Sequence, residues 1–438
     1  MSSPVVSLPT PPMRIPLRRP LLLAAALPLS LLAQAAAPTS ASPTGVPGVR
    51  TAAAAFDGAR LGRIESYLDR LVAEQRIPGA VVMLVRNGQV EYHKAFGYRN
   101  ISTKVPMRTD DIFRIASQTK AITSLAAMML WEEGKFALDD PVSAYLPEFD
   151  KQVVLGKFNP ADSSYTTVPA KRATTIRQLL THTSGLDYAD IGSDDMKAIY
   201  AKNGITAIGR EGDVLADKVR ILGKLPLALQ PGERFNYSLS IDVLGRLVEV
   251  WSGLPLDQFF RTRILTPLKM TDTWFELPAD RRARLVTLHS EKDGKVTPMT
   301  EPQAFVNPDY PARRVTYFAG GAGLSGTTAD YARFLQLFLN GGELDGVRLV
   351  SRKTVELMLT NQIPTMQPSF GLGFALETSD NDFRSIVTSG TFSWGGAFNT
   401  TYWADPKEHL IGLIYTNVLA SSVGLGAQFQ VFVYSALR

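Results

Sequence analysis

Phe113-Arg-Ile-Ala-Ser117-Gln-Thr-Lys120-Ala-Ile-Thr-Ser-Leu-Ala-Ala-Met-Met-Leu130 reads as a helix whose first turn carries a serine and a lysine three residues apart. Positions i and i+3 share a helix face, so the Ser117 hydroxyl and the Lys120 amine can enter one pocket. Behind them Ile122, Leu125, Ala126 and Met129 repeat at i, i+3, i+4 and i+7, the pattern of a helix packed into a core. Burial disfavours the charged form of an amine, and a neutral amine beside a hydroxyl can take its proton. The helix N-terminus adds partial positive charge where an oxyanion would form. A Ser-x-x-Lys pair is weak evidence by itself, since roughly one chance match is expected in a chain this long. The rest of the sequence has to support it.

Outward from that helix, the chain shows three zones. Arg60 to Gln75 has helical spacing, with Leu61, Ile64, Leu68, Leu71 and Val72 on one face. Ala80 to Arg86 and Val90 to Phe96 are β-rich runs joined by Asn87-Gly88, a two-residue hairpin turn. No third strand is visible before the Ser117 helix, which stops at Gly134. From about 142 to 320 the sequence is loop-rich with scattered helices, at Thr174–Leu180, Asp194–Lys202, Asp213–Leu222, Ile241–Trp251 and Leu256–Ile264. This is read as an inserted, mostly helical lobe, and it lacks the βα alternation of a doubly wound sheet. Helices capped by Thr328 and Ser351 follow. Strands are then expected at Gly371–Leu376, Thr400–Asp405 and Leu410–Asn417, and a last helix near Gln428–Leu437. The fold class is therefore α+β: an antiparallel sheet built from N- and C-terminal strands, flanked by helices.

The chain has 438 residues, 45% hydrophobic and 20% charged, ordinary for globular protein. It has no cysteine, so thiolate nucleophiles, disulfides and cysteine metal sites are excluded. Arg14, Arg18 and Arg19 precede the apolar run Pro20 to Leu32 and the small residues Ala33-Gln34-Ala35. This is an export-signal pattern, with cleavage expected after Ala35 and a periplasmic or secreted destination. The Arg18-Arg19 pair also fits a twin-arginine signal, though its flanks match poorly, and an uncleaved anchor is the alternative. Residues 36–55 read as a flexible Ala/Pro/Ser/Thr/Gly linker, and 56–438 as the folded domain. The apolar run is short for a membrane span, which needs about 20 residues, and no later run is long enough. The net charge is +5, of which three charges belong to the signal. No basic stretch with interleaved aromatics argues for nucleic acid. None of the four histidines has zinc-ligand spacing, so no metal or other cofactor is expected.

Two further stretches bear on chemistry. In Pro231-Gly-Glu-Arg-Phe-Asn-Tyr237-Ser238-Leu239-Ser240, Tyr237 sits on a loop before a helix whose buried stripe runs Leu239, Val243, Leu244, Leu247, Val248 and Trp251. A packed tyrosine with a hydrogen-bonded tip is the bland alternative. In Ser389-Gly-Thr-Phe-Ser-Trp394-Gly395-Gly396-Ala397-Phe398, two glycines let backbone approach a ligand, and free strand N–H groups could hold an oxyanion. A glycine bulge with Trp394 in the core is the alternative there. His182, in Thr181-His-Thr-Ser-Gly-Leu186, organises its own turn. A Ser-His-Asp hydrolase would need Gly-x-Ser-x-Gly, and no serine has that frame.

Taken together and in this order, Ser117-x-x-Lys120, the His182 segment, Tyr237-Ser238 and Trp394-Gly395-Gly396 resemble the serine β-lactamase and penicillin-binding-protein superfamily. The similarity is closest to its family VIII carboxylesterase branch, which looks like class C β-lactamase. Gly320-Gly-Ala-Gly-Leu-Ser-Gly-Thr-Thr-Ala-Asp330 and Tyr402-Trp-Ala-Asp-Pro406 also look like this branch. The resemblance implies Ser117 as nucleophile, Lys120 as its activating partner, Tyr237 as proton relay, and the backbone N–H groups of Ser117 and Ala397 as oxyanion hole. Class C enzymes have Tyr-x-Asn where this chain has Tyr237-Ser238-Leu239, and β-lactamases have Lys-Thr-Gly where it has Trp394-Gly395-Gly396. Leu239, Trp394, Gly395 and Gly396 are accordingly the expected substrate-binding residues, in a site more apolar than an anionic lactam requires. The implied activity is hydrolysis of short- to medium-chain carboxylic esters through an acyl-enzyme on Ser117. A β-lactamase, a D-amino-acid peptidase, and a sensor that acylates without turning over are the alternatives.

Overall fold

The structure, a computed structural model, describes residues 55–302 and 306–438. The expected signal at 1–35 and the linker at 36–55, save its last residue, lie outside them. Strands β1 (Gly79–Arg86), β2 (Gln89–Asn100) and β3 (Val105–Pro106) come from the N-terminal part of the chain. Strands β4 (Ala375–Leu376), β5 (Phe392–Gly396), β6 (Thr400–Asp405) and β7 (Leu410–Tyr415) come from the C-terminal part. They form one seven-stranded sheet in the order β4-β5-β6-β7-β1-β2-β3. Its seam is the antiparallel pairing of β1 with β7, Val81 opposite Tyr415 and Met83 opposite Leu413. The β1–β2 turn has Asn87 at φ 51° and Gly88 at φ 74°, the left-handed pair that a two-residue turn of this kind demands.

Both faces of the sheet are covered, and β1 records it. Val81, Met83 and Val85 join one core with helix α2 (Thr119–Glu132) and helix α3 (Ser240–Ser252). Ala80, Val82 and Leu84 join another with α1 (Gly58–Ala73) and the C-terminal helix, Leu425–Ala436. A strand buried on both sides loses the alternating pattern, which is why β1 and β7 read as continuous apolar runs. Each fully buried aliphatic chain contributes roughly 1.5–3 kcal/mol relative to exposure. Helix α1 starts where the Asp57 side chain accepts from the Arg60 N–H at 3.2 Å, and it buries Leu61, Ile64, Leu68 and Leu71.

Several details depart from the sequence expectations. Helix α2 is buried all round from Thr119 to Leu130 rather than along one stripe, because it runs between the sheet and the helical lobe. The lobe itself carries two hairpins, Val153–Asn159 with Ser164–Pro169 and His289–Lys292 with Lys295–Pro298. The Ser164–Pro169 strand is exposed throughout, so no buried face imposed a period of two on its sequence. Short strands β3 and β4 are set by neighbours rather than by local pattern. Among the described residues no helix is long and apolar enough to cross a membrane.

Candidate active site

Ser117 lies in a single 3₁₀ turn, Ala116–Gln118, that leads into α2. The turn is entered through Ala116 at φ +43°, a conformation costly for a residue with a Cβ. Neighbours hold it there. The Tyr331 hydroxyl donates to the Gln118 carbonyl at 2.8 Å, the Tyr415 hydroxyl meets Gln118 Oε1 at 2.5 Å, and the Ile115 N–H donates to Leu324 O at 3.1 Å.

Lys120 is 2% exposed. Its Nζ donates to Gly321 O at 2.7 Å, to Ser117 Oγ at 3.3 Å and to the Tyr188 hydroxyl at 3.3 Å. Among the described residues it forms no ion pair with a carboxylate. The Gly321 carbonyl reaches it because Gly320 and Gly321 press against the start of α3. A Cβ on Gly320 would lie 2.7 Å from Ile241 O, and one on Gly321 2.5 Å from Asp242 Oδ2. Asp242 Oδ1 accepts the Gly321 N–H at 3.1 Å, so a single residue, Gly321, links this carboxyl to the lysine. Burial, the largest influence, pushes the Asp242 carboxyl up to about 6 against the pull of Lys120.

The Tyr237 hydroxyl is 2.6 Å from Ser117 Oγ, and its ring faces Lys120 Nζ at 4.5 Å. Tyr188 stacks on that ring at 5.3 Å. Burial, then the neighbouring Tyr237 and Asp242, hold the Tyr188 hydroxyl well above the ordinary tyrosine range, so it stays protonated. His182 packs its ring on Tyr237 at 4.8 Å, and its Nδ1 accepts the Ser238 N–H at 3.3 Å. That acceptor role places the ring proton on Nε2. Burial first, and the Lys120 charge second, keep the imidazole well below the ordinary histidine range and hence neutral. Its carbonyl accepts from Asn236 N–H at 2.7 Å, which ties the His182 turn to the Tyr237 loop.

Strand β5 brings the third stretch alongside. A Cβ on Gly396 would fall 2.4 Å from Ile115 O, so only glycine lets β5 approach the Ser117 turn this closely. Beyond the strand end, Ala397 is exposed, and among the described residues its N–H has no backbone partner. Ser117 and Ala397 line the same narrow cavity of about 60 Å³, shared with Tyr188, Ile208, Tyr310 and Phe398. Trp394 stands on the other side, 5.4 Å from the rings of both Tyr237 and Phe370. A wider groove of about 600 Å³, lined by Arg261, Trp274 and Phe318, includes none of these groups.

Ser117, Lys120, Tyr237, Trp394, Gly395, Gly396 and Ala397 are thus brought together. Leu239 is not among them. It is 1% exposed, packs in the main core and occupies the N-cap position of α3. As the chain turns into the helix it points into the apolar stripe, so its expected contact with substrate is withdrawn. The sequence reading also missed Tyr188, Asp242 and the Gly321 carbonyl. Tyr188 lies only six residues past His182 in one segment, and Gly320-Gly321 announced a close approach without naming its partner.

Comparison with known proteins places the chain in a family. Residues 64–431 match the family model described as Beta-lactamase. Protein Rv1367c of Mycobacterium tuberculosis (strain ATCC 25618 / H37Rv) is 37% identical over 363 residues, covering 77% of this chain and 85% of the relative. Esterase EstB of Burkholderia gladioli is 31% identical over 377 residues, covering 83% and 92%. The solved structure of "EstCE1, a hydrolase with promiscuous acyltransferase activity" superposes with a TM-score of 0.73 at 28% identity, over 86% of this chain and 99% of that one. With a family match across most of its length, an esterase relative at 31% identity and the same fold in EstCE1, the chain belongs to the serine β-lactamase and penicillin-binding-protein superfamily, near its family VIII esterases.

Proposed function

We propose that this chain is a serine carboxylesterase acting on short- to medium-chain esters through an acyl-enzyme on Ser117. The observation that carries the reading is the convergence on Ser117 Oγ of the Tyr237 hydroxyl at 2.6 Å and Lys120 Nζ at 3.3 Å. Ser117 Oγ attacks the ester carbonyl, and its proton passes to the Tyr237–Lys120 pair, the two groups in reach of it. The carbonyl oxygen becomes an oxyanion facing the N–H groups of Ser117 and Ala397. The C–O bond to the alcohol breaks, and the same pair returns the proton to the leaving alkoxide. Water then repeats the sequence on the acyl-serine, releasing the acid. The likeness to esterase EstB supports the substrate class. Trp394 supports it too, since an indole stands where β-lactamases place the lysine that meets a lactam carboxylate.

The promiscuous acyltransferase activity of EstCE1 favours one second reading, transfer of the acyl group to an alcohol in place of water. Both share the acyl-enzyme. The test is steady-state turnover of p-nitrophenyl esters, a chromogenic cephalosporin and a D-Ala-D-Ala peptide, with and without a primary alcohol. Ester turnover abolished by Ser117→Ala is expected, and turnover that survives it would sink the mechanism. Preference for the lactam or the peptide would replace the substrate class. A stoichiometric burst without turnover would make the protein an acylated sensor.

A further inference from the structure

The cavity beside Ser117 has a composition that assigns it one half of an ester. Its wall includes Ser117 and Ala397, the two residues whose N–H groups flank the expected oxyanion, but not Lys120, Tyr237 or Trp394. The leaving alkoxide must meet a proton donor, so the alcohol half has to lie towards Tyr237 and Trp394. The tetrahedral carbon then directs its remaining substituent the other way, into the cavity. We infer that this cavity is the acyl chamber, that Ile208 and Phe398 set its length, and that it admits acyl chains of two to four carbons. The inference rests on the reading of Ser117 as nucleophile and narrows it.

Size and stiffness both support the limit. The volume is about 60 Å³, whereas an apolar protein cavity of about 150 Å³ takes a six-carbon ring. By proportion the chamber holds roughly two to three carbons beyond the carbonyl. Its lining of Ile191, Ala207, Ile208, Tyr310, Ala322 and Phe398 offers apolar surface to a hydrocarbon chain. Ile208 is 8% and Phe398 5% exposed, so each already packs against its surroundings and cannot swing aside freely. Arg114, which lines the cavity together with Asp190, fastens the wall at Tyr310. Its Nε donates to Tyr310 O at 2.5 Å, one terminal nitrogen to Val286 O at 2.8 Å, and the other to Pro308 O at 2.5 Å. A longer acyl chain would have to break this packing, and each misfit methylene costs roughly 10- to 200-fold in kcat/KM.

The test holds the leaving group constant and varies the acyl chain: kcat/KM of the full chain on p-nitrophenyl acetate, propionate, butyrate, hexanoate and octanoate. The expected profile peaks at or below butyrate and falls at least about tenfold at hexanoate. Ile208→Ala and Phe398→Ala should each move the peak to longer chains and raise the hexanoate-to-acetate ratio about tenfold or more. Exchanging the alcohol, α-naphthyl for p-nitrophenyl acetate, should give the same rate ratio in both variants as in the wild type. A wild-type profile that is flat or peaks at hexanoate or beyond, with Ser117-dependent turnover intact, overturns the chamber assignment alone, and this arm needs no variant to fold. An unchanged hexanoate-to-acetate ratio in folded variants does the same. Failure to hydrolyse any of the five esters overturns the esterase reading and the assignment with it.

Discussion

At the level of single residues, Lys120 Nζ lies over two tyrosine rings, at 4.5 Å for Tyr237 and 5.3 Å for Tyr188, but only Tyr237 places its hydroxyl on Ser117. Tyr188 is held protonated by its burial, so its share in the site is to orient the lysine. Tyr237→Phe is expected to lower kcat by about 10²–10⁴, the range for loss of a positioned proton-transfer group. Tyr188→Phe removes one of three acceptors around Lys120 and should cost only about tenfold. Equal losses in the two variants, measured under saturating ester, would remove Tyr237 from its assigned role. His182 is a positioning residue by the same geometry, because its Nδ1 and its ring fix the loop that presents Tyr237. His182→Leu should lower kcat about 10- to 100-fold with KM within about threefold. His182→Asn keeps an acceptor and tolerates φ +54°, and should recover much of the loss. A wild-type rate profile with a kinetic limb from this imidazole near pH 6.5 would contradict its enforced neutrality. Ser117, Lys120 and Tyr237 could be read from sequence because each sits in a local motif. Tyr188 and Asp242 could not, since what gives them a role is a contact across the fold.

At the level of elements, the sheet seam and the helices around it were legible because long buried segments impose their period on sequence. Asp194–Lys202 and Thr400–Asp405 fall where periodicity put them. The two hairpins of the helical lobe were not legible, since Ser164–Pro169 is exposed throughout and the other three strands each bury a single residue, too few to impose a period of two. Strand β5 lies between these cases. Its glycines announced a close approach, and the structure supplies the partner, Ile115 O at 2.4 Å from a Cβ on Gly396, against 3.1 Å to Thr400 O from a Cβ on Gly395. The backbone cannot yield as a flexible side chain would, so Gly396→Ala should push β5 and the Ala397 N–H away from Ser117. Overpacking of this kind costs roughly 1–3 kcal/mol of stability, and displacement of about 1 Å costs about 10² in rate. Gly395→Ala should lose much less of both. Thermal melts and kcat on the two variants check the order, and a Gly395 variant worse than the Gly396 variant would mean that the strand's approach is not what holds the oxyanion donor.

At the level of the whole molecule, buried acids and buried imidazoles oppose each other over one pH window. Asp242 is pushed up to about 6, by burial above all, from 3.8. His289, 0% exposed, is pushed down to about 4 from 6.5, again by burial first. A raised carboxyl favours folding fully below its unfolded value, and that contribution is lost as pH rises through the folded value, here between about 4 and 6. A lowered imidazole behaves oppositely: its contribution is whole above 6.5 and is lost as pH falls towards 4. Each shift corresponds to at most about 3 kcal/mol across the window. Relative to wild type, Asp242→Asn should therefore gain stability as pH rises from about 4 to 6 and level off above that. His289→Gln should gain relative stability as pH falls over the same range. Urea unfolding of the three proteins at four pH values between 4 and 7 reads both slopes. Parallel curves for wild type and Asp242→Asn would mean that the fold does not raise this carboxyl, and Asp242 would then be ionised against the Gly321 N–H over most of the window between 4 and 6 as well.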